Sequence, residues 1–318
     1  MSAAAALRIG TRASALALWQ ARHVAARLAA QSGAPAAQLV HISTSGDREL
    51  EAPLWQVGGR AFFTREIDRA LLEGTVDVAV HSLKDLPTQI EAGLTLAATL
   101  RRADPRDALV SRSGATLAAL PRGARIGTSS LRRRAFLARL RPDATLLELR
   151  GNVPTRIERL RRGDYDAVVL AAAGLERLGL GGEVSEYLDP DGFPPAVSQG
   201  VIGVCVRAAD AATLRWVAPL DDHEARLAAT AERALLRRLE GGCQVPLGAL
   251  ATVRDGAVTL HASVCALDGS QHLAVCGAAP AAPAEAAALG TRLAEELLTR
   301  GAGALIAHQR AARAVEEP

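Results

Sequence analysis

Between Leu7 and about residue 190, short apolar runs alternate with amphipathic stretches, and each change of period falls at a polar turn. Leu7-Arg8-Ile9-Gly10 reads as a strand, Thr11-Arg12-Ala13-Ser14 as a turn, and Leu18, Ala21, Ala25 and Leu28 keep helical spacing behind it. A second strand is expected over Leu39 to Thr44, followed by Ser45-Gly46-Asp47-Arg48 and by Gly58-Gly59-Arg60, a glycine pair that suggests a mobile loop. Thr64 to Glu73 has helical periodicity with Thr64 as N-cap, ends at Gly74, and leads into a strand at Val76 to Val80. His81-Ser82-Leu83-Lys84-Asp85-Leu86-Pro87 follows that strand directly.

The pattern then repeats. Arg125-Ile126-Gly127-Thr128-Ser129-Ser130 echoes Arg8 to Ala13, and Gly163 to Leu170 echoes Gly74 to His81, each time behind an amphipathic helical stretch. Two echoes in the same order predict two α/β units of one plan. Ligands of such sheets bind at the carboxyl ends of strands, where helix N-termini attract anions, so two facing units would form an anion-binding cleft. Asp189 to Gly200 and Ala218-Pro219 read as connections. Beyond Leu220 the pattern changes to a helix over Glu224 to Leu239, alternating strands at Gly248 to Val253 and Val258 to Cys265, and a last helix over about 284–299. That region predicts a smaller α+β domain.

Length and composition narrow the class. A chain of 318 residues suggests two or three domains, and 49% hydrophobic with 22% charged residues is a globular, soluble composition. Its four cysteines, Cys205, Cys243, Cys265 and Cys276, show neither CxxC nor Cys/His ligand spacing, so neither a disulfide scaffold nor a metal site is expected. The first residues lack a basic region and a long apolar run, so an unanchored cytoplasmic protein is expected, with no membrane partner. No long exposed apolar stripe argues against a monomer. Thirty-seven Lys+Arg against 34 Asp+Glu give a net charge of only +3, and 3% aromatic residues supply no stacking platform, which argues against nucleic acid.

Candidate chemistry sits at the turns. Arg12, Arg132, Arg133, Arg150 and Arg156, with Lys84, cluster there, and planar guanidinium groups grip carboxylates bidentately. The alternative for such residues is a solvated helix face, the better reading for Arg134, Arg139, Arg141, Arg159, Arg161 and Arg162. Asp85, after an apolar strand and beside Lys84, is placed either for proton transfer or as a turn aspartate. His81 reads as a packed strand-end residue. Gly241-Gly242-Cys243-Gln244-Val245-Pro246 places a thiol between flexible glycines and a proline, either as a reachable nucleophile or as a small buried hydrophobe.

Six motifs in order, Thr11-Arg12-Ala13-Ser14, Val57-Gly58-Gly59, His81 to Pro87, Gly127 to Arg133, Leu149-Arg150-Gly151-Asn152-Val153 and Leu239 to Pro246, resemble the porphobilinogen deaminase (hydroxymethylbilane synthase) family. The resemblance runs from about Arg8 to the C-terminal helix. It implies an α/β enzyme with two type II periplasmic-binding-protein-like domains, 1–100 plus 200–218 and 104–197, and a smaller α+β domain, 222–318. It implies that Cys243 holds a dipyrromethane cofactor through a thioether, with Lys84, Asp85, Thr128, Ser129, Ser130, Arg132, Arg133, Arg150 and Gly151 around it. Arg12, Ser14, Gln20, Ser82, Arg150, Arg156, Arg177 and Gln199 would bind porphobilinogen, and Asp85 would be catalytic. Four porphobilinogen units would be joined with loss of ammonia and released by water as hydroxymethylbilane, without metal or nucleotide.

Two departures from the family pattern stand out. Arg60-Ala61-Phe62-Phe63 replaces the usual Lys-Gly-Leu-Phe, and Ser198-Gln199-Gly200 replaces Gly-Gln-Gly, where an added hydroxymethyl group is expected to stiffen a hinge. A two-lobed carboxylate-binding protein without chemistry would equally explain the repeat and the basic turns, but not the thiol. A cysteine-dependent hydrolase or acyltransferase would explain the thiol, but no base and orienting partner are visible in the pattern.

Overall fold

Arg8 is the second residue of β1 (Leu7–Thr11), and its guanidinium and backbone together fix the first register of the computed structural model. The Arg8 amide and Nε each donate to Asp77 Oδ2 at 3.0 Å, and Nη2 donates to Asp77 Oδ1 at 2.8 Å and to the Gly74 carbonyl at 2.7 Å. Arg125, at the head of β6 (Arg125–Gly127), repeats the arrangement atom for atom: its amide donates to Asp166 Oδ2 at 2.9 Å and its Nη2 to Asp166 Oδ1 at 3.1 Å and to the Gly163 carbonyl at 3.0 Å. The duplicated sequence is therefore a duplicated clamp.

The structure describes residues 6–45, 64–239 and 245–307. Of these, residues up to 45, 64–103 and 200–226 form one compact unit, and 104–199 with 227–307 form a second. In the first unit the sheet order is β2 (Ala37–His41), β1, β3 (Val78–Ser82), β10 (Ile202–Arg207) and β4 (Leu94–Thr99). In the second it is β7 (Thr145–Leu147), β6, β8 (Ala167–Ala171), β5 (Asp107–Ser111) and β9 (Glu186–Tyr187). Each begins with three parallel strands and then receives an antiparallel one, β10 or β5. This is the mixed α/β architecture expected, with one strand plan used twice. Helices α1 (Ala15–Ala29), α2 (Arg65–Leu72) and α6 (Ala211–Val217) belong to the first unit; α3 (Leu131–Leu140), α4 (Val153–Arg161) and α5 (Ala172–Arg177) belong to the second.

Two strand boundaries differ from expectation. The strand placed at Val76 to Val80 begins at Val78, because Gly74 turns with φ +72° and the Thr75 and Val76 amides return to the Ala70 carbonyl. The strand placed at Leu39 to Thr44 ends at His41. Thr64 stands at the N-cap position of α2, but its side chain accepts no capping hydrogen bond from the helix. The glycine loop at 58–60 and the replaced Arg60 to Phe63 lie outside the described residues.

The second unit also holds an antiparallel sheet of β11 (Leu247–Arg254), β12 (Ala257–Cys265) and β13 (His272–Pro280). Its third strand is absent from the sequence reading, because its alternation rests on alanine and glycine and has little hydrophobic contrast. Helices α7 (His223–Arg238) and α8 (Pro283–Thr299) cover the sheet, burying Leu227, Ala231 and Leu235 with Leu260, Val264, Leu289, Leu293 and Leu297. The two helices meet so closely at Gly290 that a Cβ there would lie 2.1 Å from the Ala231 carbonyl oxygen.

Ser198 explains one departure from the family pattern. Its φ is +62°, a region that favours glycine, and its Oγ is buried without a partner, while its amide donates to Glu232 Oε2 at 2.6 Å. Glu232, fully buried on α7, accepts from the Ala251 amide through its other oxygen at 2.7 Å. The backbone conformation is thus kept by the carboxylate and not by the side chain of residue 198.

Two stability measurements check this account. Ser198→Gly should raise the unfolding free energy by about 1 kcal/mol, since relief of strain and of an unpaired hydroxyl outweighs the entropy of glycine; a lower midpoint in urea would contradict it. Gly290→Ala should lose about 1–3 kcal/mol through overpacking against α7, read by the same titration; an unchanged midpoint would mean that the helices separate at little cost.

Candidate active site

In the first unit, β1 and β3 run parallel and side by side, so the turns at their carboxyl ends meet. Ser14 caps α1 by accepting from the Ala17 amide at 3.4 Å, which carries Arg12 past the end of β1. Ser82 ends β3, and Lys84 and Asp85 occupy the single 3-10 turn Leu83–Asp85 that follows. A pocket here is lined by Arg12, Ser14, Gln20, Ser82 and Asp85, all expected from the sequence, and by Leu16, Ala17, Thr64, Val80 and His81. Gln20 Nε2 donates to Ser82 Oγ at 2.8 Å, so one helix and one strand end are tied across the pocket. Lys84 is half-buried on the turn beside it.

His81 is buried, as expected of a packed strand-end residue. Burial, with a smaller push from Arg12, lowers its pKa to about 4, so the imidazole is neutral at physiological pH. Its Nε2 lies 3.7 Å from Asp68 Oδ1 on α2. Burial raises the Asp68 pKa to about 6. Asp68 carries no signal in the sequence, since only the folding of α2 onto β3 brings it to the pocket wall.

In the second unit, β6 is followed by Thr128-Ser129-Ser130, and Ser130 caps α3 by accepting from the Arg133 amide at 3.4 Å. The Ser129 hydroxyl donates to the Leu149 carbonyl, which joins this turn to the one carrying Arg150 and Gly151. Gly151 has φ +103°, and a Cβ there would lie 2.9 Å from Thr155 Cγ2. Arg156, on α4, donates from Nε to the Gly151 carbonyl at 2.7 Å. Burial lowers the pKa of Arg150, and lowers that of Arg177 on α5 to about 10.

Arg132 and Arg133 are far more enclosed than a sequence reading of basic turns suggests. Their side chains are 5% and 7% exposed, and both pair with Asp107, which is fully buried at the start of β5. Burial alone would raise the Asp107 pKa, but the two guanidinium charges and hydrogen bonds from Arg133 and Gln199 hold it well below the usual carboxylate range. Gln199 is buried here too: its Nε2 donates to the Pro105 carbonyl at 2.8 Å and to Asp107 Oδ1 at 3.0 Å. Asp107 is a functional candidate that sequence reasoning missed, because nothing near it in the chain marks its partners. Cys243 falls within 240–244, outside the described residues.

The donors assembled at the start of α3 are hydroxyls and guanidiniums, and Arg132 Nε is buried without an acceptor. Two guanidiniums against one carboxylate leave this set net cationic, which suits a group that carries carboxylates. Comparison with known proteins agrees. Residues 7–215 match the family model described as porphobilinogen deaminase, dipyromethane cofactor binding domain, and residues 226–299 match the porphobilinogen deaminase C-terminal domain. A porphobilinogen deaminase from Roseiflexus sp. (strain RS-1) is 54% identical over 303 residues, covering 95% of this chain and 98% of its own. One from Syntrophotalea carbinolica is 50% identical over 302 residues, covering 95% of each chain. The chain belongs to the porphobilinogen deaminase family, transferases of tetrapyrrole biosynthesis that work with a dipyrromethane cofactor.

Proposed function

We propose that Cys243 carries the dipyrromethane cofactor as a thioether and that Asp85 is the catalytic carboxylate in the joining of four porphobilinogen units to give hydroxymethylbilane. The observation that carries this reading is the shared pocket of Asp85, Arg12, Ser14, Gln20 and Ser82 at the paired ends of β1 and β3. Loss of ammonia from porphobilinogen leaves positive charge on a pyrrole, and an ionised carboxylate is suited to stabilise it and to accept the proton lost on coupling. Asp85 is the one carboxylate on this strand and turn, and His81 beside it is buried and neutral.

Each porphobilinogen carries an acetate and a propionate. Arg12, Arg156 and Arg177 take these carboxylates, with Ser14, Gln20 and Ser82 as neutral donors and Gln199 near the start of β5. Lys84, Arg150, Arg132, Arg133, Thr128, Ser129, Ser130 and Gly151 hold the cofactor. When bound, dipyrromethane supplies the free pyrrole α-carbon at which the new bond is made. Domains 1–100 plus 200–218, 104–197 and 222–318 divide these tasks, the third presenting Cys243. The enzyme acts in the cytoplasm as a monomer, with no membrane or nucleic-acid partner; among the described residues, no helix is long and apolar enough to cross a membrane.

Intact mass spectrometry of the purified chain beside Cys243→Ser tests the attachment. The wild type should carry an excess equal to two linked pyrroles and the variant none. An excess retained in Cys243→Ser would remove Cys243 from its role. No excess in a wild type that also releases no ammonia from porphobilinogen would leave a carboxylate-binding protein without chemistry. Asp85→Asn should retain the mass excess and lose at least about 100-fold in kcat; full turnover would sink the assignment.

A further inference from the structure

Arg132 and Arg133 are consecutive on the first turn of α3, and both guanidiniums point into the protein. Two buried like charges at that spacing repel, and each needs a partner to stay ionised and ordered. One residue serves both. Asp107 Oδ1 accepts from Arg133 Nε at 3.1 Å and Nη2 at 2.6 Å, and Asp107 Oδ2 lies 2.7 Å from Arg132 Nη2. The remaining donors are divided unequally. Arg133 Nη1 donates to the Val169 carbonyl at 2.8 Å and Arg132 Nη1 to the Pro194 carbonyl at 2.7 Å, while Arg132 Nε has no acceptor. Arg133 is therefore held through Nε and both Nη atoms, and Arg132 keeps an unused donor.

The charges are unequal as well: two guanidiniums face one shared carboxylate. A fixed positive charge in a low-dielectric site attracts an anion more strongly than one that must first be ordered and stripped of water. Gln199 Nε2 completes the fourth contact to the carboxylate at 3.0 Å, which fixes its orientation.

We infer that Asp107 is a positioning residue of the carboxylate-binding site: it holds Arg132 and Arg133 side by side, cancels one of their two charges, and leaves Arg132 preorganised for an acidic pyrrole. Asp107 acts through the arginines and need not touch the ligand. The inference rests on the assignment of Arg132 and Arg133 to the cofactor proposed above.

The test separates this role from a contribution to folding. The fraction of purified chain that carries the two-pyrrole mass excess is measured for the wild type, for Asp107→Asn, for Arg133→Met and for the double variant Asp107→Asn with Arg133→Met, together with each thermal midpoint. Asp107→Asn should melt lower and carry the excess on a fraction reduced about tenfold or more, as expected for loss of a charged hydrogen-bonded partner. The double variant removes the unpaired second charge and should melt nearer the wild type. Its loading should fall below that of Arg133→Met measured alone, because Arg132 then also lacks its ionic partner. Loading in the double variant no lower than in Arg133→Met, or wild-type loading in Asp107→Asn itself, would overturn the inference and leave Asp107 a purely structural residue. Absence of the excess from the wild type would instead defeat the cofactor assignment, so the two failures are distinguishable.

Discussion

An arginine at the head of a strand, bound to one aspartate and one glycine carbonyl, is the constraint on which both lobes rest. In the first lobe Arg8 joins β1 to the turn before β3, and in the second Arg125 joins β6 to the turn before β8. Each clamp sets a parallel register, Ile9 opposite Val78 and Ile126 opposite Ala167. Once the amino ends of these strands are tied, their carboxyl ends must also lie together. That is why Arg12 and Ser14 meet Ser82 and Asp85 although some seventy residues separate them. It also explains why a partly exposed ion pair matters here beyond its small direct energy: it places chain segments through backbone as well as side-chain donors.

The lobes use this common plan with different electrostatics. The first lobe lines a pocket with polar groups and keeps His81, near the end of β3, neutral by burial. The second lobe encloses charge. Arg132 and Arg133 lie inside, and their desolvation is offset by Asp107 and by carbonyls of Val169 and Pro194. Such a cluster is strongly destabilised if one member is lost, because a buried charge then stands alone.

Alternation and helical spacing made most of the architecture legible, and the repeated Arg-Ile-Gly-Thr pattern revealed the duplication because each copy serves the same clamp. The turn residues of the first lobe were legible for the same reason: Arg12, Ser14, Ser82 and Asp85 follow strands directly, so their place at strand ends is a local property. Ser198 was legible only as a departure from a glycine pattern. Its cause, a φ of +62° kept by hydrogen bonding of its amide to Glu232, is a contact across 34 residues. The third strand of the last sheet is not legible in the sequence because alanine and glycine give a weak alternation, and pairing with β12 decides it instead.

The sequence by itself determined the element types, the two-lobed repeat, the basic turns and the family, since all of these depend on residue order and local spacing. Tertiary structure alone decided which charges are enclosed and how they are paired. Arg132 and Arg133 look in sequence like any exposed basic turn, and Asp107 and Asp68 like ordinary surface acids. Charge state and availability depend on desolvation and on partners a few ångströms away, and those partners come from distant segments of the chain.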